Sequence, residues 1–332
     1  MALYQNKKID IILPWRIGDS VLNIPMLSCL KQLNEKFADN NTYRIVAKPF
    51  LTKLHSPVGI FETIELTTKT RLFSNIMPAD VAFFTETINT NWGYTAKIKY
   101  GRTNPYKKII KYHKEMPFLL PNSFHEYFPQ ELVEFLREKH KFSQYASCLF
   151  GIVLEMGYTS EQIIQNFEFS HEKIALDNFI GYENKLLNGK YVVFCMEAAY
   201  GKKGDANRRW NENYYLEIAE KCHKEYNLNS VFVGVNQEFA IPKKRHLIDL
   251  RKQVNLFELA QILKNAEFYI GNDTAPLHIS NIMKTPSVAC YFMKHSFPEF
   301  SPMFPEINTQ VYCPQSPEEM YDVFKVRYEQ GL

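Results

Sequence analysis

Residues 268–292 read as a strand, a turn, a short helix and a second strand. Phe268, Tyr269 and Ile270 form an apolar run, and Gly271-Asn272-Asp273-Thr274 makes a turn. A helical pattern then passes through His278, and Pro286 opens a second apolar run ending at Phe292. Short apolar strands joined by a helix are the parallel crossover unit, which commits this part of the chain to a parallel sheet covered by helices. A helix that starts just beyond a strand's C-terminal end aims backbone N–H groups and a positive dipole into the crevice there. That setting suits a phosphate or diphosphate. Asp273, Thr274 and His278 then stand where a ligand lies; the alternative is that Asp273 or Thr274 caps the helix and His278 is a packed core histidine.

The same alternation recurs along the chain. An apolar run at 9–13 is broken by Pro14, Trp15 and Arg16, turns at Gly18-Asp19, and leads into a helical stripe of Val21, Leu22, Met26, Cys29, Leu30 and Leu33. Pro25 falls inside that stripe and removes a backbone donor, so a kink or a late helix start is expected. Strand patterns follow at 43–47, 60–66 and 81–84, and helical patterns occupy 129–156. A polar linker is expected within 168–188. Strand patterns at 191–195, 230–234 and 246–250 then alternate with helices carrying Tyr215, Ile218, Ala219 and Cys222, and Leu256, Leu259, Ala260 and Leu263; Asn255 with Glu258 has capping-box spacing. At 332 residues the chain is comfortable as two domains of about 150 residues. The expected class is α/β with boundaries at 1–170 and 171–332.

Composition narrows the function classes. Hydrophobic content of 45% with 23% charged residues is ordinary for a globular protein and excludes disordered and collagen-like chains. A formal charge of +3 is too small to point to nucleic acid. Six cysteines lack any CxxC or zinc-like spacing and read as buried free thiols in a reducing cytosol. The N-terminal residues lack the apolar core of a signal peptide, and no run of about 18 apolar residues occurs, so a cytoplasmic protein able to touch a membrane face is expected.

Charge is concentrated in two places. Between 91 and 114, Lys97, Lys99, Arg102, Lys107, Lys108, Lys111 and Lys114 occur with no Asp or Glu and are interleaved with Trp92, Tyr94, Tyr100, Tyr106 and Tyr112. Such a stretch reads as a surface loop or irregular helix that either faces an anionic partner or is simply solvated. Past the strand at 191–195, Lys202, Lys203, Arg208 and Arg209 lie with Gly201 and Gly204. Cations and glycines at a strand's end suit diphosphate contact, the alternative being a solvated basic loop; no Walker pattern is present.

Four motifs in order resemble glycosyltransferase family 9, whose best-known members are the lipopolysaccharide heptosyltransferases. They are the Gly18-Asp19 turn and helix reaching Pro25, Arg208-Arg209-Trp210, the 231–234 strand followed by Glu238, and Asp273-Thr274-Ala275-Pro276-Leu277-His278 with Thr285-Pro286. The resemblance is dense over 190–292, supported at 8–35 and weak between.

It implies a GT-B architecture, two Rossmann-like domains facing across a cleft, with acceptor on the first and sugar nucleotide on the second. It also implies an inverting, metal-independent transfer in which Asp19, next to Gly18, is the general base for the acceptor hydroxyl; the alternative for Asp19 is a helix N-cap. Arg208 stands where the family has lysine and compensates the departing diphosphate, with Lys202 and Lys203 as further candidates. Glu238 meets ribose hydroxyls, Asp273 faces sugar hydroxyls, Thr274, Ala275 and Pro276 lie against the diphosphate, and His278 supports the loop. The implied donor is a nucleotide sugar, ADP-heptose by family default, with no other cofactor. The implied acceptor is an anionic glycolipid of the lipopolysaccharide or lipooligosaccharide core at the inner membrane, met by the basic residues of 91–114. No obligate protein partner is expected.

The sequence departs from the family at Asn211, Ala275, Ala198, Ala199 and the 292–300 exit, all on the donor side. A hexose or N-acetylhexosamine donor therefore stays open, as do a non-catalytic sugar-nucleotide binding protein and a nucleotide-sugar epimerase.

Overall fold

A computed structural model describes residues 4–14, 16–65, 79–85, 108–111, 128–181, 183–184, 187–198, 208–294 and 296–331. The chain divides into two compact units, Met1–Ala175 and Leu176–Leu332.

In the first unit, β1 (Lys8–Ile12), β2 (Thr42–Ala47), β3 (Glu62–Glu65), β4 (Val81–Phe84) and β5 (Lys108–Lys111) form a parallel sheet in the order β3-β2-β1-β4-β5. The last four residues of β1 are buried, as the central strand of a covered parallel sheet must be. One of them is Asp10, and the register places Arg44 of β2 directly beside it. Arg44 Nε donates to Oδ1 at 2.8 Å and Nη2 to Oδ2 at 3.0 Å. This forked pair satisfies a charge that the interior otherwise penalises heavily.

The stripe containing Pro25 is two helices, α1 (Ile17–Val21) and α2 (Ile24–Phe37). Proline occupies the first turn of α2, where its missing N–H has no intrahelical acceptor to lose, so the outcome is a late start and not a kink. Helix α3 (Pro49–Val58) follows β2. The helical pattern of 129–156 is broken into α4 (Gln130–Glu134), a π turn (Phe135–Lys139), α5 (Gln144–Cys148) and α6 (Gly151–Glu155), before α7 (Ser160–Asn166). The π turn leads into a cluster in which His140 stacks on Phe142 at 5.1 Å and meets Phe135 edge-on at 4.7 Å. Two expectations need correction. The third strand is confined to Glu62–Glu65, and Lys108–Lys111 of the basic stretch is an edge strand, consistent with its two central β-branched isoleucines.

In the second unit, β6 (Tyr191–Cys195), β7 (Asn229–Phe232), β8 (Leu247–Asp249), β9 (Phe268–Asn272), β10 (Ser287–Tyr291) and β11 (Asn308–Tyr312) form a parallel sheet in the order β11-β10-β9-β6-β7-β8. The strand order therefore reverses at β6 and β9, the doubly wound pattern. Helices α8 (Glu212–Tyr226), α9 (Leu256–Lys264), α10 (Ala275–Ile282), α11 (Ser296–Glu299) and α12 (Pro317–Glu329) belong to this unit. Every residue of β6, β9 and β10 is buried. Phe194 stacks on Phe232 at 5.3 Å, and Phe268 meets Phe324 of α12 edge-on at 5.0 Å. Burying each such ring fully is worth roughly 1.5–3 kcal/mol.

Gly271 is required by close approach: a Cβ there would lie 2.9 Å from the Cys195 carbonyl oxygen and collide with the Tyr269 hydroxyl. The strand before the family-like signature extends through Gly271 and Asn272, so the turn begins only at Asp273. Conversely, β7 ends at Phe232 and Gly234 lies in the turn beyond it. The capping box of α9 forms as expected, with Asn255 accepting from the Glu258 N–H and Glu258 from the Asn255 N–H. All six cysteines are free thiols; five are buried and Cys313 is half-buried. Among the described residues no helix is long and apolar enough to cross a membrane.

Candidate active site

In an open parallel sheet, ligands bind beyond the C-terminal ends of the strands where the order reverses. In the second unit that place lies beyond β6 and β9, whose final residues pair as Cys195 with Gly271. Asn272 fastens the two strand ends together. Its Nδ2 donates to the Met196 carbonyl at 2.9 Å and the Glu197 carbonyl at 3.1 Å, and its Oδ1 accepts from the Tyr215 hydroxyl at 2.8 Å.

Asp273 comes next, and Arg208 holds it. Arg208 Nη2 donates to the Asp273 carbonyl at 3.0 Å and to Oδ2 at 3.1 Å. Burial pushes the Asp273 carboxyl up to about 6, against the guanidinium, which favours the ionised form. His278 Nε2 lies 3.9 Å from Asp273 Oδ1. Burial, helped by the charge of Arg208, lowers its imidazole to about 4. At neutral pH the histidine is uncharged, and Arg208 is the cation that balances Asp273.

Thr274 is the N-cap residue of α10, in extended conformation, and no side chain caps the helix there. Its Oγ1 turns back to the Asn272 carbonyl at 3.3 Å and toward Cys195 Sγ at 3.7 Å. Asp273 does not cap either, so the capping alternative for these two residues is not what folds. Ala275 and Pro276 form the first turn of α10, and a proline there leaves the helix dipole intact. Arg208, Asp273, Thr274, Ala275, Pro276 and His278 are thus gathered around one helix start. Trp210 secures the basic segment from inside: it is buried, and its Nε1 donates to the Pro314 carbonyl at 2.9 Å. Lys202 and Lys203 lie outside the described residues.

Glu238 is exposed on the turn after β7. It accepts from Asn236 Nδ2 at 3.1 Å, its N–H donates to Asn236 Oδ1 at 2.6 Å, and with Val235, Asn236, Gln237 and Lys252 it lines a shallow pocket. Two residues in this neighbourhood escape sequence reading. Asn272 lies inside a turn motif whose neighbours draw attention, and Glu197 is an acid just past a strand end, embedded in a segment read for its cations.

In the first unit, Gly18 and Asp19 lie in α1, which follows β1 where that sheet reverses between β1 and β4. Arg16, not Asp19, is the N-cap residue. Asp19 is buried in the first helical turn, and its carbonyl accepts from Asn23 Nδ2 at 2.8 Å. Behind it, Ser20 Oγ donates to the Ile17 carbonyl at 2.8 Å, and His55 Nε2 lies 3.2 Å from that hydroxyl. Of the basic stretch, Lys108 and Lys111 belong to β5, while Lys97, Lys99, Arg102 and Lys107 lie outside the described residues. Among the described residues no cluster of three or more His, Cys, Asp or Glu side chains could hold a metal ion.

Solved structures share this fold. E. coli ADP-heptose LPS heptosyltransferase II superposes with a TM-score of 0.64 at 16% identity, over 97% of this chain and 99% of that one. The glycosyl transferase family 9 protein from Veillonella parvula gives 0.62 at 12% identity, over 98% of both chains. E. coli heptosyltransferase WaaC with ADP gives 0.59 at 11% identity, over 98% of this chain and 100% of that one. The likeness establishes a GT-B fold built of two Rossmann-like units. No curated protein matches the sequence. The model of glycosyltransferase family 9 (heptosyltransferase) matches residues 140–319, more than half of the chain. The chain therefore belongs to glycosyltransferase family 9, the heptosyltransferase family, and is a glycosyltransferase.

Proposed function

We propose that this enzyme moves a sugar, heptose by family default, from a nucleoside-diphosphate sugar to the core of a lipopolysaccharide or lipooligosaccharide, with inversion and without a metal ion. The observation that carries this reading is the Arg208 guanidinium held 3.1 Å from Asp273 immediately ahead of α10. A fixed cation at a helix start is the arrangement that stabilises charge accumulating on a departing diphosphate. The second unit binds the donor: Arg208, with Lys202 and Lys203, compensates the diphosphate, Thr274, Ala275 and Pro276 lie along it, Asp273 accepts from sugar hydroxyls, and Glu238 accepts from the ribose.

The first unit binds the acceptor. Asp19 takes the proton of the attacking hydroxyl as that oxygen bonds to the anomeric carbon and the diphosphate leaves with the electrons of the broken C–O bond. Lys97, Lys99, Arg102, Lys107, Lys108 and Lys111 meet the anionic acceptor at the membrane surface, on the cytoplasmic side where nucleotide sugars are available. An ADP-linked donor agrees with the relative solved with ADP.

The test is transfer from ADP-heptose to a heptose-deficient core lipid by wild type and Asp19→Asn. Turnover by wild type, lost in the variant while ADP still binds, is the expected result. Product from a hexose nucleotide alone would redirect the donor assignment, and an active Asp19→Asn enzyme would remove the base.

A further inference from the structure

Glu197 is not part of the donor contacts assigned above, yet it joins the two loops that carry them. It follows β6, which lies in the sheet between β9 and β7. On one side its main-chain carbonyl accepts from Asn272 Nδ2 at 3.1 Å, the residue just before Asp273. On the other, its carboxylate Oε1 accepts from the Asn236 N–H at 2.5 Å, and the Val235 N–H also bonds to the carboxylate.

Gly234 makes room for it. The glycine has φ +139°, in the region that favours glycine, and a Cβ at that position would fall on the Glu197 carboxylate. The carboxylate is partly withdrawn from solvent, and burial raises it above the ordinary range, against the pull of the two N–H groups and of Arg251 and Arg209. From there the connection runs outward. Asn236, held by its N–H, grips Glu238 through both its amide donor and its carbonyl oxygen. Gln237 adds one bond to the Arg251 carbonyl at 2.8 Å.

We propose that Glu197 is the positioning residue for ribose recognition: its carboxylate fixes the 234–236 turn, Asn236 transmits that geometry, and Glu238 is presented to the ribose hydroxyls of a nucleoside diphosphate. The inference rests on the donor-site reading given above. Glu197 itself touches no substrate. Because Asn272 ties the same residue to β9, the ribose-side and diphosphate-side loops share one anchor.

The experiment measures binding by calorimetry for wild type, Glu197→Gln, Glu197→Ala, Glu238→Gln and the Glu197→Gln/Glu238→Gln double variant. The probe is whichever of ADP, UDP, GDP and CDP binds wild type most tightly, alongside its 2′,3′-dideoxy counterpart. Glu197→Gln retains side-chain volume and one acceptor, so it reports on the turn even where Glu197→Ala fails to fold. The Glu197 variants are expected to weaken the ribonucleotide by about ten-fold, the scale of one charge-assisted hydrogen bond. They leave the dideoxy nucleotide nearly unchanged, and the double variant binds no worse than Glu238→Gln alone. Equal weakening of both nucleotides, additive losses or wild-type affinity in Glu197→Gln would overturn the positioning role, while a weakened Glu238→Gln would keep the donor-site reading. If Glu238→Gln binds like wild type, or no diphosphate binds wild type, the donor-site reading fails and this inference with it.

Discussion

Asp273 and His278 lie 3.9 Å apart, and the same burial displaces them in opposite directions, the carboxyl up to about 6 and the imidazole down to about 4. Between about pH 4 and 6 the folded state keeps a proton on Asp273 that the unfolded chain has shed, so this residue's contribution to stability falls as pH rises. His278 acts oppositely: the unfolded chain takes up a proton that the folded state refuses, so its contribution is whole above about 6.5 and is lost as pH falls toward 4. The two offset each other through mildly acidic pH. Asp273→Asn removes one side of the balance. It is expected to be more stable than wild type above pH 6, on the order of 2 kcal/mol, and no more stable near pH 4. Thermal unfolding across that range checks the slope, and transfer assays should show that the stabilised variant has lost activity.

The Asp10–Arg44 pair offers a separate test of stability. Arg44→Met leaves a buried carboxylate without its forked partner and is expected to cost about 3–5 kcal/mol. Asp10→Val combined with Arg44→Met should recover most of that loss, because no lone charge remains. Urea unfolding of the wild type and the two variants measures both.

For Asp19, loss of the carboxylate charge in Asp19→Asn is expected to lower kcat by about 10²–10⁴-fold, the usual worth of a positioned base. Donor KM should stay within a factor of a few. A comparable fall in donor affinity would make Asp19 a binding or folding residue.

Arg208→Lys keeps the charge but replaces the planar guanidinium, whose Nη2 donates to both the carbonyl and the carboxylate of Asp273, with a shorter ammonium side chain. Reduced kcat/KM with donor, about ten-fold or more, is expected. Full activity in this variant would mean that charge alone is needed.

Charge reversal at Lys107, Lys108 and Lys111 addresses the acceptor. If the basic stretch meets an anionic glycolipid, acceptor KM rises and its dependence on salt flattens, while donor KM is untouched. An unchanged salt dependence would leave that face merely solvated.

Much of the fold is legible in the sequence because parallel strands buried on both faces leave unbroken apolar runs. Tyr191–Cys195 and Phe268–Ile270 are read directly for that reason. Strand ends are harder. Gly234 looks like the end of β7 but is a turn residue, and Gly271 looks like a turn but is a strand residue, since glycine marks close approach as readily as a bend. At the site, the Asp273 loop stands out because its position at a helix start is encoded locally. The bond from Arg208 joins residues 65 apart in sequence, and those from Asn272 to the β6 exit span 75 and 76. No periodicity reports contacts of that kind, and Glu197 is invisible for the same reason.

The bond from Trp210 to Pro314, spanning 104 residues, also bears on how the chain comes off the ribosome. Lys221 with Glu318, Tyr226 with Glu329 and Lys325 with Glu225 tie α8 to α12 in the same way. The bond that holds Trp210, two residues after Arg208, therefore forms only once Pro314 has been made. A polypeptide stalled before α12 would carry Arg208, Asp273 and Thr274 without the Trp210–Pro314 bond or the ties between α8 and α12.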